Sequence, residues 1–212
     1  MLREGQVLFT YLHFAPDPLQ TKDLVASGAA CIAYQTVTSS RGGLPLRAPM
    51  SEVAGRMSIQ AGAYCVEHPH GGLDMLLGGV PGVEPAKALV LGGGVVGTHP
   101  PHVAVGMGAD IWGVDPDNDV LENHWPQFGR ATNSVFSTHD TAEKHVLMAG
   151  LVICGVLVPG AATPRLTSTD MIKAMKPGAV LSDVATGQGG CSETSRATTH
   201  ADSTYFVDDV VH

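Results

Sequence analysis

The sequence predicts an α/β fold built around a doubly wound parallel sheet. Short apolar runs alternate with helix-length segments in the second half of the chain, as expected when helices cover both faces of a parallel sheet. A glycine-rich turn follows the first of these runs. The composition agrees with a packed core, because 44% of the 212 residues are hydrophobic and 15% are charged.

The N-terminal part predicts two parallel strands joined by a helix. The runs at residues 6–12 and 29–37 have strand length, and residues 17–27 between them carry a weak helical pattern. A turn-rich linker containing Pro45 and Pro49 follows. We predict Ser51 as the N-cap of a long buried helix over residues 53–66, with Glu52 in its first turn.

The remaining strands are predicted from Lys87 onward. Six apolar runs have strand length, and helices fill the gaps between them. These runs cover residues 88–91, 111–115, 134–136, 151–158, 179–184 and 205–211.

A glycine fingerprint follows the strand at residues 88–91. Gly92, Gly94 and Gly97 satisfy the pattern GxGxxG around Val95. In this pattern the first glycine permits a tight turn, the second lets the backbone approach a pyrophosphate, and the third lets a helix pack closely on the sheet. The N-terminus of that helix would supply free amides to the phosphates. We therefore predict a Rossmann-type dinucleotide-binding domain.

Asp115 ends the next predicted strand. In Rossmann-type domains a carboxylate at this position accepts hydrogen bonds from the ribose hydroxyls of NAD and repels the 2′-phosphate of NADP. NAD is therefore the predicted cofactor. A glycine-rich turn beside an acidic loop residue is the purely structural alternative. Pro100 and Pro101 disagree with a helix that starts near Val95, because a proline beyond the first turn kinks or displaces a helix.

The composition also excludes several classes of partner. A net charge of -8 and an aromatic content of 5% argue against nucleic acid. The four cysteines form no CxxC pair and no metal-ligand spacing, so we predict neither a disulfide framework nor a metal site. No signal peptide or membrane-spanning run is visible, and we expect a cytoplasmic protein.

Six segments resemble the alanine dehydrogenases and the related NAD-binding transhydrogenase subunit. The runs GGVPGVEPA and QGGC are the most specific of the shared motifs. The similar segments are residues 9–15, 48–56, 78–97, 155–161, 175–185 and 188–200.

This resemblance implies oxidation of L-alanine to pyruvate and ammonium with reduction of NAD, in a homo-oligomer that is expected to be a hexamer. It also implies two domains. Residues 1–50 would be the last part of a substrate domain, a remnant of a second α/β domain, and residues 51–212 would be the NAD-binding domain. We thus expect a chain that is truncated at both ends relative to the family.

The resemblance assigns roles residue by residue. His13 matches the catalytic histidine that contacts the pyruvate carbonyl, although a structural histidine is the alternative. Gly94 and Asp115 match contacts to the pyrophosphate and ribose. The other matches at the cofactor are Ser51, Ser137 near the adenine, and Val156 and Leu157 beside the nicotinamide ribose; the last two residues are otherwise ordinary core residues.

The chain departs from the family pattern at Gly187, which stands where the family has a catalytic aspartate directly before QGG. We keep Gly187 among the residues at the cofactor, but a glycine cannot relay a proton. The upstream arginine and lysine that hold the substrate have no counterpart here. Two alternatives to a dehydrogenase therefore stay open: a non-catalytic NAD-binding module, and a transhydrogenase-like subunit that passes hydride to a partner protein.

Overall fold

The computed structural model describes residues 2–12, 14, 17–156 and 163–212. Two predicted site residues, His13 and Leu157, lie outside the described residues. The strands form a two-stranded sheet near the start of the chain and a seven-stranded sheet from Lys87 onward.

The N-terminal segment forms the predicted strand, helix and strand. Strands β1 (Val7–Thr10) and β2 (Ala30–Ala33) are parallel neighbours, and helix α1 (Pro18–Ala26) connects them. The Asp17 side chain caps α1 by accepting a hydrogen bond of 2.9 Å from the Gln20 N–H.

The seven-stranded sheet is parallel except for one edge strand. Its order is β5-β4-β3-β6-β7-β9-β8, and only β8 runs antiparallel to its neighbour. The chain leaves β3 in one direction and returns to its other side with β6, which creates a crevice at the carboxyl ends of these two strands. The strands are β3 (Lys87–Leu91), β4 (Asp110–Asp115), β5 (Thr132–Phe136), β6 (Leu151–Cys154), β7 (Val180–Asp183), β8 (Phe206–Val207) and β9 (Val210–Val211).

Helices connect the strands and confirm the predicted doubly wound fold. They are α2 (Ala48–Cys65), α3 (Pro100–Met107), α4 (Asn118–His124), α5 (His139–Met148) and α6 (Thr169–Ala174), with single 3-10 turns at Tyr34–Thr36, His68–His70, Pro126–Ala131 and Thr186–Gln188. Within the described part of the chain, no helix is both long enough and apolar enough to cross a membrane.

The core consists of two apolar clusters, one on each face of the large sheet. Successive side chains of a strand point to opposite faces. Val90 of β3 therefore packs in the cluster that contains Ile59 of α2, while Leu89 packs in the cluster that contains Val146 of α5. All four side chains are fully buried, and this burial on both faces explains why the strands are continuously apolar.

Helix α2 lies against the sheet through small residues. A Cβ on Gly62 would lie 2.5 Å from Cδ1 of Leu151, and a Cβ on Gly55 would overlap the Val96 carbonyl oxygen. The opposite face is open, because Val53 is 62% exposed and Tyr64 is 57% exposed. The long buried helix that the sequence predicts is thus buried on one face only.

The prediction of Ser51 as an N-cap is wrong. Helix α2 begins at Ala48, its N-cap is Arg47, and the Ser51 N–H already donates to the Arg47 carbonyl oxygen at 3.2 Å. Pro49 does not end the preceding linker but occupies the first turn of the helix, where a missing N–H costs nothing. Ser51 is instead a buried residue inside the helix.

Two strand predictions also need correction. The run at residues 205–211 is a hairpin of two short strands, with Asp208 (φ 47°) and Asp209 (φ 62°) in left-handed conformation at its turn. The strand predicted for 151–158 ends at Cys154, and Gly155 and Val156 follow it as irregular backbone.

Candidate functional site

The glycine loop at the end of β3 requires two of its three fingerprint glycines for steric reasons. Gly92 has a φ of 91°, and a Cβ there would lie 2.6 Å from Cγ2 of Val156. A Cβ on Gly97 would overlap the carbonyl oxygen of Gly92. The turn therefore lies close to the segment that follows β6, at the crevice between β3 and β6.

Gly94 lies on the open side of the same loop. A Cβ at Gly94 would meet nothing within 4 Å, and the neighbouring Val95 is 53% exposed. Among the described residues, no hydrogen bond uses the N–H group of either residue. The loop thus presents two free backbone donors beside open space, which is an arrangement that can hold an anionic group.

Helix α3 begins later than the fingerprint predicts. Its first residues are Pro100 and Pro101, and the loop before it contains a separate turn in which the Thr98 N–H donates to the Gly94 carbonyl oxygen at 3.0 Å. The two prolines therefore occupy the first turn of the helix, where they are tolerated. The free amides at the loop belong to Gly94 and Val95 and not, as the sequence suggested, to the helix N-terminus.

Asp115 is buried at the end of β4, with 8% of its surface exposed. Its Oδ2 accepts a hydrogen bond of 2.7 Å from the Gly93 N–H, and its Oδ1 accepts one of 2.8 Å from the Asp117 N–H. A carboxylate has about four acceptor positions, so about two remain for another ligand. The Ser137 N–H donates to the Asp115 carbonyl oxygen at 2.9 Å, which places Ser137 beside Asp115 at the end of β5.

The other predicted site residues are distributed around this edge of the sheet. Val156 contacts the glycine loop directly, as described above. Gly187 lies in the turn Thr186–Gln188, which follows the carboxyl end of β7. Ser51 is buried in the first half of α2.

Trp125 supports the glycine loop and was not predicted. Its ring is buried so close to Gly113 of β4 that a Cβ on that glycine would overlap the ring. A Cβ on Gly93 would lie 3.4 Å from the indole Nε1, and this nitrogen has no hydrogen-bond partner among the described residues. Trp125 follows α4 in an irregular segment, so neither periodicity nor a motif pointed to it.

A cavity opens near the carboxyl end of β7, and we call it the β7 cavity. Residues lining it include Asp183, Arg196, Tyr205 and His212. The Tyr205 hydroxyl accepts a hydrogen bond from the Arg196 N–H at 2.9 Å and donates one to the Thr194 carbonyl oxygen at 3.1 Å. Burial raises the pKa of Tyr205 and lowers the pKa of His212, so both side chains favour their neutral forms.

The strand order, the glycine loop and the buried Asp115 together define a doubly wound α/β protein of the Rossmann type. The chain belongs to the alanine dehydrogenase/PNT family: residues 58–212 match the model of the C-terminal domain, and residues 1–54 match the model of the N-terminal domain.

Individual relatives agree with this assignment. The alanine dehydrogenase of Halomonas elongata is 54% identical over 211 residues, which is 100% of this chain and 57% of that protein. A solved L-alanine dehydrogenase structure superimposes with a TM-score of 0.90 at 44% identity, covering 99% of this chain and 58% of the other. A transhydrogenase from Sinorhizobium meliloti gives a TM-score of 0.78 at 23% identity, covering 99% of this chain and 60% of its own, and shares the fold.

Proposed function

We propose that this chain binds NAD at the glycine loop and is the cofactor-binding part of an L-alanine dehydrogenase. The observation that carries the proposal is the joining of the buried Asp115 carboxylate to the glycine loop, which has free N–H groups at Gly94 and Val95. These residues fit the ribose and the pyrophosphate of a dinucleotide.

The strand order supports a particular orientation of the cofactor in this proposal. With the pyrophosphate at Gly94, the adenosine half extends toward β4 and β5, past Asp115 and Ser137. The nicotinamide half extends toward β6, where Val156 contacts the loop and Leu157 follows. We further propose that Ser51 and Gly187 border the nicotinamide half.

NAD is favoured over NADP for an electrostatic reason. A buried aspartate with both oxygens fixed by backbone N–H groups cannot move away from a 2′-phosphate. Two like charges in a partly buried site repel each other, whereas the ribose hydroxyls of NAD can donate to the acceptor positions that remain.

The reaction itself is proposed from the relatives. The chain spans about 57% of the length of the alanine dehydrogenases that it matches. In this proposal the glycine loop would hold NAD, which would supply the hydride acceptor. His13 would act as general acid and base while L-alanine and water are converted to pyruvate and ammonium. Residues 1–50 would belong to the substrate domain and residues 51–212 to the NAD domain, although α2 is continuous across that boundary. A cytoplasmic homo-oligomer, with six copies as the expected number, completes the proposal.

Thermal unfolding with and without saturating NAD tests cofactor binding, with NADP as the control. A ligand that binds only the folded state adds about 2.7 kcal/mol of stability at a hundredfold excess over its Kd. We expect the unfolding midpoint to rise with NAD and to stay nearly unchanged with NADP. An unchanged midpoint with NAD would contradict the proposed site.

A second candidate function is an NAD-binding module without alanine turnover. Gly187 favours it, because no side chain at that position can hydrogen-bond a substrate or relay a proton. The test is alanine-dependent formation of NADH by the chain and by its Gly187→Asp variant. Turnover by the unaltered chain supports the dehydrogenase, and binding of NAD without turnover in either form supports the module. Hydride transfer to a partner protein without alanine dependence would instead indicate a transhydrogenase-like subunit.

A further inference from the structure

Three potential metal ligands converge at the ends of two neighbouring strands. Cys154 ends β6 and Asp183 ends β7, and the two residues are direct partners in the parallel register. Cys191 lies in the loop that follows β7. The two sulfur atoms and a carboxylate oxygen all lie within 4.8 Å of one another. In a tetrahedral zinc site with Zn–S bonds of about 2.3 Å, two sulfurs lie roughly 3.8 Å apart, so small side-chain movements would bring these three atoms to a common cation.

Both thiols are completely buried. The hydrogen bond with Cys191 and, after it, burial raise the pKa of Cys154 well above the usual value of a thiol. A buried protonated thiol is a poor target for oxidants, because the thiolate is the reactive form. The pair is therefore poorly suited to a redox role, and a cation would have to displace the thiol protons on binding.

The Asp183 carboxylate is held by hydrogen bonds and keeps a free acceptor position. It accepts hydrogen bonds from the Ala185 N–H and the Cys191 N–H, each at 2.8 Å, and a further one from the Ser195 hydroxyl. Of the roughly four acceptor positions of a carboxylate, about one remains. Asp183 also lines the β7 cavity.

We propose that Cys154, Asp183 and Cys191 form a binding site for a thiophilic divalent cation of the zinc class, with a water molecule as fourth ligand. Two thiolates and a carboxylate are a ligand set that suits zinc. The cation replaces one proton on each thiol and two protons leave. The charge of the cluster therefore stays at that of the carboxylate alone, and binding adds no net buried charge.

The site would link three segments of the fold. Cys154 directly precedes Gly155, whose N–H donates to the Leu91 carbonyl oxygen at 2.9 Å. A cation would thus tie the ends of β6 and β7 to the loop that contains Cys191, next to the glycine loop. Because a metal that binds the folded state alone stabilises it, we expect the metal-bound chain to unfold at a higher temperature than the metal-free chain.

Cobalt(II) titration of the whole, fully reduced chain tests the proposal, because thiolate-to-cobalt charge transfer gives an absorption that carboxylate or imidazole ligands do not produce. We expect this absorption to saturate at a single cation per chain and to disappear when zinc is added. It should persist in the Cys31→Ser/Cys65→Ser double variant, which keeps only the two clustered thiols, and it should be lost in Cys154→Ser and in Cys191→Ser.

Three results would overturn the proposal: no thiolate absorption in the unaltered chain, loss of the absorption in the Cys31→Ser/Cys65→Ser variant, or its survival in folded Cys154→Ser. Since the unaltered chain and the double variant retain the whole cluster, the test does not depend on whether the buried serine variants fold. None of these measurements requires NAD or alanine, so their outcome is independent of the proposed dehydrogenase function.

Discussion

The carboxylate of Asp115 accepts a hydrogen bond of 2.7 Å from the Gly93 N–H, so the acidic residue that ends β4 is joined directly to the glycine loop that follows β3. In the proposed binding mode the same carboxylate also accepts from the ribose of the cofactor. The proposal therefore makes both the position of the loop and the preference for NAD depend on one side chain.

This joint role can be tested with Asp115→Asn. An amide keeps the shape but has only one acceptor oxygen, so it cannot accept from both Gly93 and Asp117. Loss of the proposed hydrogen bond between the charged carboxylate and the ribose would cost about 1–3 kcal/mol of binding free energy. This corresponds to a roughly 10- to 100-fold weaker Kd for NAD, measured by calorimetry. The discrimination against NADP should shrink at the same time. Asp117→Asn is the matched control, because an asparagine caps α4 as well as an aspartate does; equal losses in both variants would contradict the role of Asp115.

Gly97→Ala should destabilise the fold, because its Cβ would overlap the Gly92 carbonyl oxygen and the loop backbone would have to move. We expect a loss of about 1–3 kcal/mol in urea unfolding. Gly106→Ala is the comparison variant: Gly106 lies on the exposed side of α3 with open space around it, and an alanine there should add about 0.5–1 kcal/mol. If Gly97→Ala left the free energy of unfolding unchanged, the loop would be less tightly packed than its geometry indicates.

Acidification should destabilise the chain through His145. Burial, and then the charges of Lys87 and Lys144, lower the pKa of this histidine. Its Nδ1 lies 3.1 Å from Nζ of Lys87, a contact that a protonated ring cannot keep. The unfolded chain therefore binds more protons than the folded chain below about pH 6.5, so stability falls as the pH drops through this value. His145→Gln should flatten the dependence of the unfolding midpoint on pH between neutral and mildly acidic solution, and an unaltered pH dependence in this variant would contradict the role of His145.

The hairpin between β8 and β9 offers a stabilising substitution. Asp208 and Asp209 both have positive φ, which type I′ hairpin turns require at both central positions and which Asp-Gly satisfies better than Asp-Asp. Asp209→Gly should raise the free energy of unfolding by about 0.5–1 kcal/mol. The control variant Asp202→Gly lies in an exposed loop with ordinary φ and should lower the free energy of unfolding or leave it unchanged. A lower free energy of unfolding in Asp209→Gly would show that the turn is not strained.

The central strands β3 and β6 of the large sheet could be predicted from sequence because each is a short apolar run buried on both faces. The glycine fingerprint then indicated the candidate site. Gly97 is required by a contact within the loop, with the Gly92 carbonyl oxygen, whereas Gly92 is required by Val156, which is distant in sequence. The errors occurred at element ends. Ser51 has the chemistry of a cap, but Pro49 can begin a helix as well as precede one, and local sequence does not distinguish these cases.

Contacts between distant segments were not predictable. Cys154 and Cys191 are separated by α6 and β7, and only the parallel pairing of β6 with β7 brings them together. No CxxC spacing exists between them, so reasoning from spacing alone gave no metal site. Trp125 was missed for the same reason, because its contact with Gly113 is decided by how the segment after α4 folds back on β4.

The prolines at the start of α3 reduce the number of unpaired N–H groups at a helix end that the fold buries. The first four N–H groups of a helix have no partner within the helix, and burying them without partners is costly. Pro100 and Pro101 are both buried, and the Gly55 face of α2 packs against the backbone just before them. Because proline carries no N–H group, half of these orphan donors do not exist. The junction between the two helices can therefore exclude water without leaving unsatisfied N–H donors at these two positions. Substitution of either proline would introduce an N–H group into a contact that offers it no acceptor.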